Sequence, residues 1–295
     1  MSSAAQPDRP HQAALRWQSQ AVLLLLVPVT AVWVTLEAGQ FWLAHDASLW
    51  LGAAISVLLA ALVYSTRAAT PGAALTGALF TEALWLQTPG LHTALWPLLT
   101  LLVLTFSATR FGRRRKESLG IAEGRRGRTA SQVAANLGVA VLAGIPLSQA
   151  HVFTPVAFGG RAAMVAMVAA MAEATADTVS SELGQVLGGT PRMISSFRRV
   201  RAGTDGAISF AGTLAGAVAA AVVVEVAWAA LPDAPRISFT GTDAGLALAG
   251  GLAGTVVDSL LGAGPERQGW LNNDAVNALS TLAAAVVAAW LTAWF

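Results

Sequence analysis

The chain contains no cysteine, a single tyrosine and four histidines, and only 12% of its 295 residues are Asp, Glu, Lys or Arg. The missing cysteine excludes disulfides, thiolate zinc sites, iron–sulfur clusters and cysteine nucleophiles together. Charge stands at about half the ~25% of an average soluble protein, too little to cover the surface of an ordinary water-soluble globule. Disorder is excluded from the other side, because 55% of the residues are hydrophobic and the formal net charge is only +2. Tryptophan, by contrast, is plentiful, with ten residues, and its amphipathic ring suits the membrane–water interface.

Apolar runs of roughly 17–25 residues, the length that crosses a hydrocarbon core, occur near 18–36, 47–64, 71–88, 91–109, 131–148, 161–184, 207–231, 243–262 and 275–295. They predict an all-α polytopic bundle of about nine transmembrane spans (eight to ten), one domain over 18–295 preceded by a cytoplasmic segment 1–17. The third and fourth runs are parted only by Thr88-Pro89-Gly90, and Pro71 suits the first turn of a new helix. With the N-terminus inside, the inner segments 1–17, 65–70, 110–130, 185–206 and 263–274 hold 16 of the 18 Lys and Arg. Only Arg161 and Arg236 fall outside, as the positive-inside rule requires. The expected location is a bacterial-type inner or plasma membrane. The first 16 residues are too long and too weakly charged for a signal n-region, so the first span is expected to be retained.

Ionisable side chains are costly in hydrocarbon, and here they gather at one depth. Asp177, Thr178, Ser180, Ser181 and Glu182 end the sixth span, and Thr255, Asp258 and Ser259 end the eighth. Thr129, Ser131, Gln132 and Asn136 open the fifth, Thr204, Asp205, Ser209 and Thr213 the seventh, and Asn272, Asn273, Asp274 and Asn277 the ninth. All belong to the cytoplasmic ends, where the polar site is expected, built mainly from 110–295. Spans six and eight arrive with negative helix ends that favour cations; spans five, seven and nine start there with free N–H groups that favour anions. Carboxylates beside such helix starts can hold Mg²⁺ on a nucleotide's phosphates, and an all-oxygen ligand set selects a hard cation over zinc.

Other roles compete for the same residues. Ser and Thr in membrane helices commonly hydrogen-bond a neighbouring helix, and Asp205 or Asn272 can simply cap. Asp177 and Glu182 lie five residues apart, about 140° round a regular helix, so both face one site only if the helix unwinds between them. Twelve basic residues fill two loops: Arg110, Arg113, Arg114, Arg115, Lys116, Arg125, Arg126 and Arg128, then Arg192, Arg198, Arg199 and Arg201. They fit anchors to anionic lipid. Around the second cluster, glycines also permit close approach to phosphate oxygens, although no Walker A pattern is present. Glu82, Glu173 and Glu225 sit deeper, as pore, proton-relay or buried structural groups, with Glu37 at the outer edge. His45, His92 and His151 fall in outer loops as interface residues. Gly212/Gly216 and Gly250/Gly254 read as close helix packing. Asp177-Thr178 before Leu183-Gly184 is echoed by Asp258-Ser259 before Leu261-Gly262.

Several stretches carry a resemblance: Gln132-Val133 with Ala135-Asn136, Ala174-Thr175-Ala176-Asp177-Thr178 with Ser181-Glu182-Leu183-Gly184, and Pro191-Arg192-Met193-Ile194. Gly203-Thr204-Asp205-Gly206 with Ser209, Asp258-Ser259-Leu260-Leu261-Gly262-Ala263, and Leu271-Asn272-Asn273-Asp274 with Asn277 complete it. From about residue 70 onward the chain resembles the membrane family that contains the plant phytyl-phosphate kinases of tocopherol salvage, with uncharacterised bacterial, archaeal and animal members. It departs at Ala207, where that family usually has Gly, and at Gly264-Pro265, which replaces a Thr-containing stretch.

The resemblance implies a membrane kinase converting an isoprenoid monophosphate, such as phytyl or geranylgeranyl phosphate, to the diphosphate with CTP or another nucleoside triphosphate. On that reading Asp177, Glu182, Asp258 and Asp274 hold Mg²⁺, and Asp177, Asp258 and Asp274 are catalytic. Asn136, Asn273 and Asn277 orient phosphates, Lys116, Arg128 and Arg192 neutralise them, and Gln132, Ser181, Arg198 and Thr204 complete the nucleotide contacts. The expected partners are the isoprenoid phosphate, its tail entering sideways from the bilayer, and membrane lipid; no nucleic acid is implied. The competing functions are a secondary transporter, supported by Glu82, Glu173 and Glu225, and a CTP-dependent lipid nucleotidyltransferase.

Overall fold

A computed structural model describes residues 15–118, 120, 127–147, 159–231 and 238–295. The expectations for 1–14, Arg125, Arg126, His151 and Arg236 lie outside the described residues. Helix α1 spans Arg16–Leu43, α2 Ser48–Ser65, α3 Pro71–Gln87, α4 Leu95–Arg110 and the short α5 Arg113–Ser118. They are followed by α6 Ala130–Gly144, α7 Gly160–Leu187, α8 Phe210–Ala230, α9 Gly241–Leu261 and α10 Asn273–Leu291. A 3₁₀ turn, Ile145–Leu147, extends α6, and a π turn, Gly262–Glu266, extends α9. Strands β1, Arg192–Met193, and β2, Ala207–Ile208, pair antiparallel in the loop between α7 and α8.

Leaving α5 aside, the nine helices among the described residues coincide one for one with the nine apolar runs, and the protein is a polytopic helical membrane protein. Seven, including α6 with its 3₁₀ turn and α9 with its π turn, are long and apolar enough to cross a membrane. The two that fall short are the closely joined pair α3 and α4, of 17 and 16 residues. At 1.5 Å per residue these extend about 24–26 Å, less than the ~30 Å of a hydrocarbon core.

Sequence cues set the helix starts. Thr70 caps α3 with Pro71 in its first turn, and Thr129 with Gln132 forms a capping box on α6. Thr240 with Asp243 does the same on α9, while Ser209 caps α8 and Asn272 caps α10. Each supplies an acceptor to N–H groups that no helical carbonyl can reach. From Ala162 to Ala172 helix α7 is apolar or small on every side, so this stretch belongs at the centre; Val165 and Met167 through Ala172 are fully buried there. Of the ten tryptophans only Trp33 and Trp85 are buried. The other eight are exposed at helix ends, as interface anchoring demands.

Loop contacts sort the helix ends into two groups. At one end Gln18 bonds the Trp270 carbonyl, Arg110 the Thr66 carbonyl, Lys116 bonds Glu182, and Arg128 pairs its backbone with Ala68 and Thr70. At the other end Arg161 pairs with Asp243 (2.7 Å) and His92 meets the Ala230 carbonyl. Among the described residues every Lys and Arg except Arg161 belongs to the first, basic end.

Glycines let neighbours approach α7 closely. A Cβ on Gly212 would lie 2.6 Å from the Ser180 carbonyl oxygen, and one on Gly216 2.7 Å from that of Ala176. On α9, Gly254 faces the Glu173 side chain and the Ser280 carbonyl of α10, and Gly251 faces Ala169 and Ala172. Gly216→Leu therefore drives α8 off α7. It is expected to cost about 1–3 kcal/mol as an overpacked interface, read as a lowered unfolding temperature in detergent, whereas Gly245→Ala, open around its Cβ, does not lower that temperature.

Candidate functional site

Helices α7 and α9 run in the same direction toward the basic end and pack in register. Glu173 lies against Gly254, where no side chain holds the backbones apart. One helical turn further on, at i+4 on both helices, Asp177 and Asp258 come within hydrogen-bonding reach of each other. Two carboxyl groups in contact require a proton or a cation between them. Glu173 is 1% exposed, Ser280 of α10 lies against its carboxyl group, and its Oε1 has no hydrogen-bond partner among the described residues. The result is a ladder of three acidic groups at the centre of the bundle.

Arg128 is the cation nearest this ladder. It lies within electrostatic range of Asp177 and donates from Nη2 to Thr178 Oγ (3.4 Å). Its backbone is pinned: its N–H donates to Ala68 O (2.9 Å) and its carbonyl accepts from Thr70 N (3.0 Å). Gly127 makes that pairing possible, with φ +72° and the Ala68–Ala69 backbone 2.6 Å from where a Cβ would stand. Behind it, Asn277 Nδ2 donates to Asn136 Oδ1 (2.9 Å), joining α10 to α6 through a buried amide pair.

Other residues expected at the site have different work. Helix α7 stays regular to Leu187, so Glu182 is turned away from the Asp177–Asp258 contact and pairs with Lys116 at 2.5 Å. The Lys116 ammonium also donates to the carbonyls of Ala108 (3.1 Å) and Thr109 (2.8 Å) in the last turn of α4. Its three protons are therefore spent, leaving none for a phosphate, and at 1% exposure it is architectural. Gln132 Oε1 accepts from Thr129 N within the capping box, and the Ser181 hydroxyl donates to Thr178 O. Asp274 is buried in the first turn of α10, and no hydrogen bond or ion pair joins it to Asp177 or Asp258 among the described residues. Exposed Asn273 precedes it.

Arg192, Arg198 and Thr204 lie on the loop between α7 and α8. Arg192 Nη1 donates to Phe197 O and Thr204 Oγ to Arg201 O, while the Arg198 carbonyl accepts from Met193 N. The loop folds onto the end of α9, where Gly206 packs against Gly262 and Ala263. Ala207 sits in β2, an extended position that needs no glycine. Among the described residues no group of three or more His, Asp or Glu is arranged as a metal site. Two carboxylates are nevertheless what Mg²⁺ commonly takes from a protein when phosphates and water supply its other ligands.

Beside the ladder lies a cavity of about 440 Å³ between α2, α3, α4 and α6, touching α7 at Ala174. Its walls are apolar, and Arg67, Arg110, Arg113, Lys116 and Arg128 stand among its lining.

The stretch from residue 54 to residue 285, which contains every one of these features, matches the family described as integral membrane protein DUF92. The chain belongs to this family. Among its relatives, the uncharacterized membrane protein MJ0933 of Methanocaldococcus jannaschii is 36% identical over 130 residues, 44% of this chain and 52% of the relative. The chloroplastic protein VTE6 of Arabidopsis thaliana is 29% identical over 203 residues, 63% of this chain and 54% of VTE6. The uncharacterized membrane protein sll0875 of Synechocystis is 29% identical over 187 residues, 62% and 67% of the two chains. The chain thus spans about half the length of MJ0933 and VTE6. No solved structure matches it.

Within this DUF92 chain, Glu173 is the residue that sequence reasoning left outside the site. The available signal was its spacing: Glu173, Asp177 and Ser181 recur every fourth residue and share one helix face.

The Lys116–Glu182 assignment is testable. Glu182→Gln or Lys116→Met alone strands a buried charge, with an expected cost of about 3–5 kcal/mol, whereas replacing both by apolar residues is near neutral. Thermal unfolding of the single and double variants checks this.

Proposed function

We propose that this protein transfers the γ-phosphoryl group of a nucleoside triphosphate, with CTP favoured, to an isoprenoid monophosphate, giving the diphosphate. The observation that carries the reading is the paired carboxyl groups of Asp177 and Asp258 beside Arg128, at the end of the bundle where the phosphate-favouring starts of α6, α8 and α10 lie. The motif resemblance to phytyl-phosphate kinases and the similarity to VTE6 support it. This end is the cytoplasmic one if the positive-inside rule holds.

The acceptor needs little activation. A phosphate monoester has a second pKa near 6 and is already a nucleophile at neutral pH, which suits a centre without histidine. One acceptor oxygen bonds to the γ-phosphorus, the bond from that phosphorus to the β–γ bridging oxygen breaks, and the nucleoside diphosphate leaves with no net proton transfer. Arg128 neutralises the acceptor phosphate and holds it toward the carboxyl pair. Asp177 and Asp258 would hold Mg²⁺, which when bound offsets the phosphates' charge. Buried Glu173 lies one helical turn beneath that position. Asn136 and Asn277, locked to each other, form a rigid polar wall, while Arg198, Thr204 and Asn273 border the nucleotide's approach.

A second reading draws on the unbonded oxygens of two deep carboxyl groups, Glu82 Oε1 and Glu173 Oε1. Such groups also suit a secondary transporter, which would hydrolyse no nucleotide.

Purified protein incubated with labelled CTP and prenyl monophosphates is expected to release CDP and form prenyl diphosphate. Pyrophosphate release instead would identify a nucleotidyltransferase, and no turnover under any acceptor would remove the enzyme. Asp177→Asn and Asp258→Asn are each expected to lower turnover by about 10³-fold or more, on the scale of losing a preorganised charge, without loss of folded protein. Near-normal rates in both variants would refute the carboxylate assignment.

A further inference from the structure

We propose that the cavity between α2, α3, α4 and α6 seats the single chain of an isoprenoid phosphate, with its phosphate at Arg67, Arg110 and Arg128, and that Gly77 governs the chain length accepted. The identity of the headgroup rests on the phosphoryl-transfer reading; the seat itself rests on the cavity.

The walls come from Val63, Ala74, Leu98, Leu102 and Phe106, with Thr81 deep inside. At about 440 Å³ the cavity falls within the ~300–1,000 Å³ of small-molecule sites. Its opening is lateral: Leu62 on α2 and Val103 on α4 both line it, yet are 56% and 63% exposed. A lipid tail can therefore enter from the bilayer. The lining includes five basic and no acidic residues, a one-sided charge that calls for an anion. Lys116 is spent on Glu182 and Arg113 pairs with Glu117. Arg67, Arg110 and Arg128 form no ion pair among the described residues. Arg128 also reaches Thr178, beside Asp177, so an anion held here stands next to the carboxyl pair.

Two local irregularities agree with this occupant. Arg67 has φ +56°, a left-handed conformation unfavourable for a non-glycine residue, where a helix C-terminus ordinarily uses glycine. The arginine adds a cation to the mouth at that local cost. Gly77 lies inside α3, where glycine is less favourable than alanine. Unlike Gly212 or Gly254 it lets no neighbour approach: a Cβ there would meet nothing within 4 Å. It lines the cavity, so what it provides is room.

The dimensions set a length. From Leu98 to Arg110 on α4 is twelve residues, about 18 Å of helix. An extended hydrocarbon advancing ~1.25 Å per carbon–carbon bond fills that with roughly 14 bonds, on the order of three to four isoprene units. Gly77 is six residues from the start of α3, about 9 Å in, near the end of the second unit.

The test uses the full protein in phosphatidylcholine nanodiscs without nucleotide, with labelled geranylgeranyl monophosphate (C20) and geranyl monophosphate (C10). Saturable C20 binding is expected, undisturbed by equimolar geranylgeraniol or phosphatidate. Gly77→Phe should weaken C20 binding by about tenfold or more and leave C10 binding unchanged. Arg110→Gln, on an exposed side chain, should weaken both by about tenfold, the scale of one charge-assisted hydrogen bond. Equal displacement by phosphatidate would make the cavity a general lipid site and overturn the proposal, as would wild-type C20 binding by folded Gly77→Phe. Should Gly77→Phe not fold, unchanged C20 affinity in Arg110→Gln overturns the phosphate seat. Binding without any phosphoryl transfer leaves the seat and removes the kinase. Transfer whose chain-length preference ignores Gly77→Phe removes the seat and leaves the kinase.

Discussion

The close, parallel contact between α7 and α9 is the constraint on which the centre of this protein depends. Gly254 lets the α9 backbone come against Glu173, and the regular helical repeat then delivers Asp258 onto Asp177 one turn later. Without a glycine at that level the two helices would stand apart, and the carboxyl groups would lose each other. Gly212 and Gly216 on α8 act in the same way on another face of α7. Small residues set the distances between backbones, and those distances place the charged groups.

The polar residues at the basic end divide into two sets with different physics. Thr129, Gln132, Ser209 and Asn272 satisfy helix starts, and Lys116 satisfies the end of α4 while neutralising Glu182. These groups are consumed by the fold, because a backbone terminus in a low-dielectric setting must find a partner. Asp177, Asp258, Glu173 and Arg128 have bonding capacity left after the fold is made. That surplus, rather than polarity alone, distinguishes the candidate site from the architecture around it.

The cavity next to that centre arises because α3 and α4, adjacent in sequence, pack mainly on different neighbours: α3 on α2 and α6, α4 on α7 and α8. The gap between them opens to the bilayer through apolar walls and ends at a cationic mouth. Arg128 belongs to both regions, lining the cavity and facing Asp177, so the apolar and acidic parts meet at one guanidinium group.

Helix number, order and approximate ends were legible in the sequence because long apolar runs, terminal Thr, Ser and Asn caps, and tryptophans at the borders are local signals. The gathering of Lys and Arg at one end was legible too, since alternating spans leave little freedom once one loop is assigned. The close-packing role of Gly212, Gly216 and Gly254 followed from their spacing. The contact of Asp177 with Asp258 was only half visible, as two similar segments, because nothing local states that α7 and α9 lie in register. The fate of Glu182 and Lys116, and the lack of a hydrogen bond between Asp274 and the pair among the described residues, were decided by tertiary structure alone. A side chain's partner depends on which helix faces are brought together, and residues more than sixty positions apart meet only after the bundle has packed. The sequence determined a membrane bundle with its polar groups at one end; three-dimensional packing decided which of those groups the fold uses up and which remain available for chemistry.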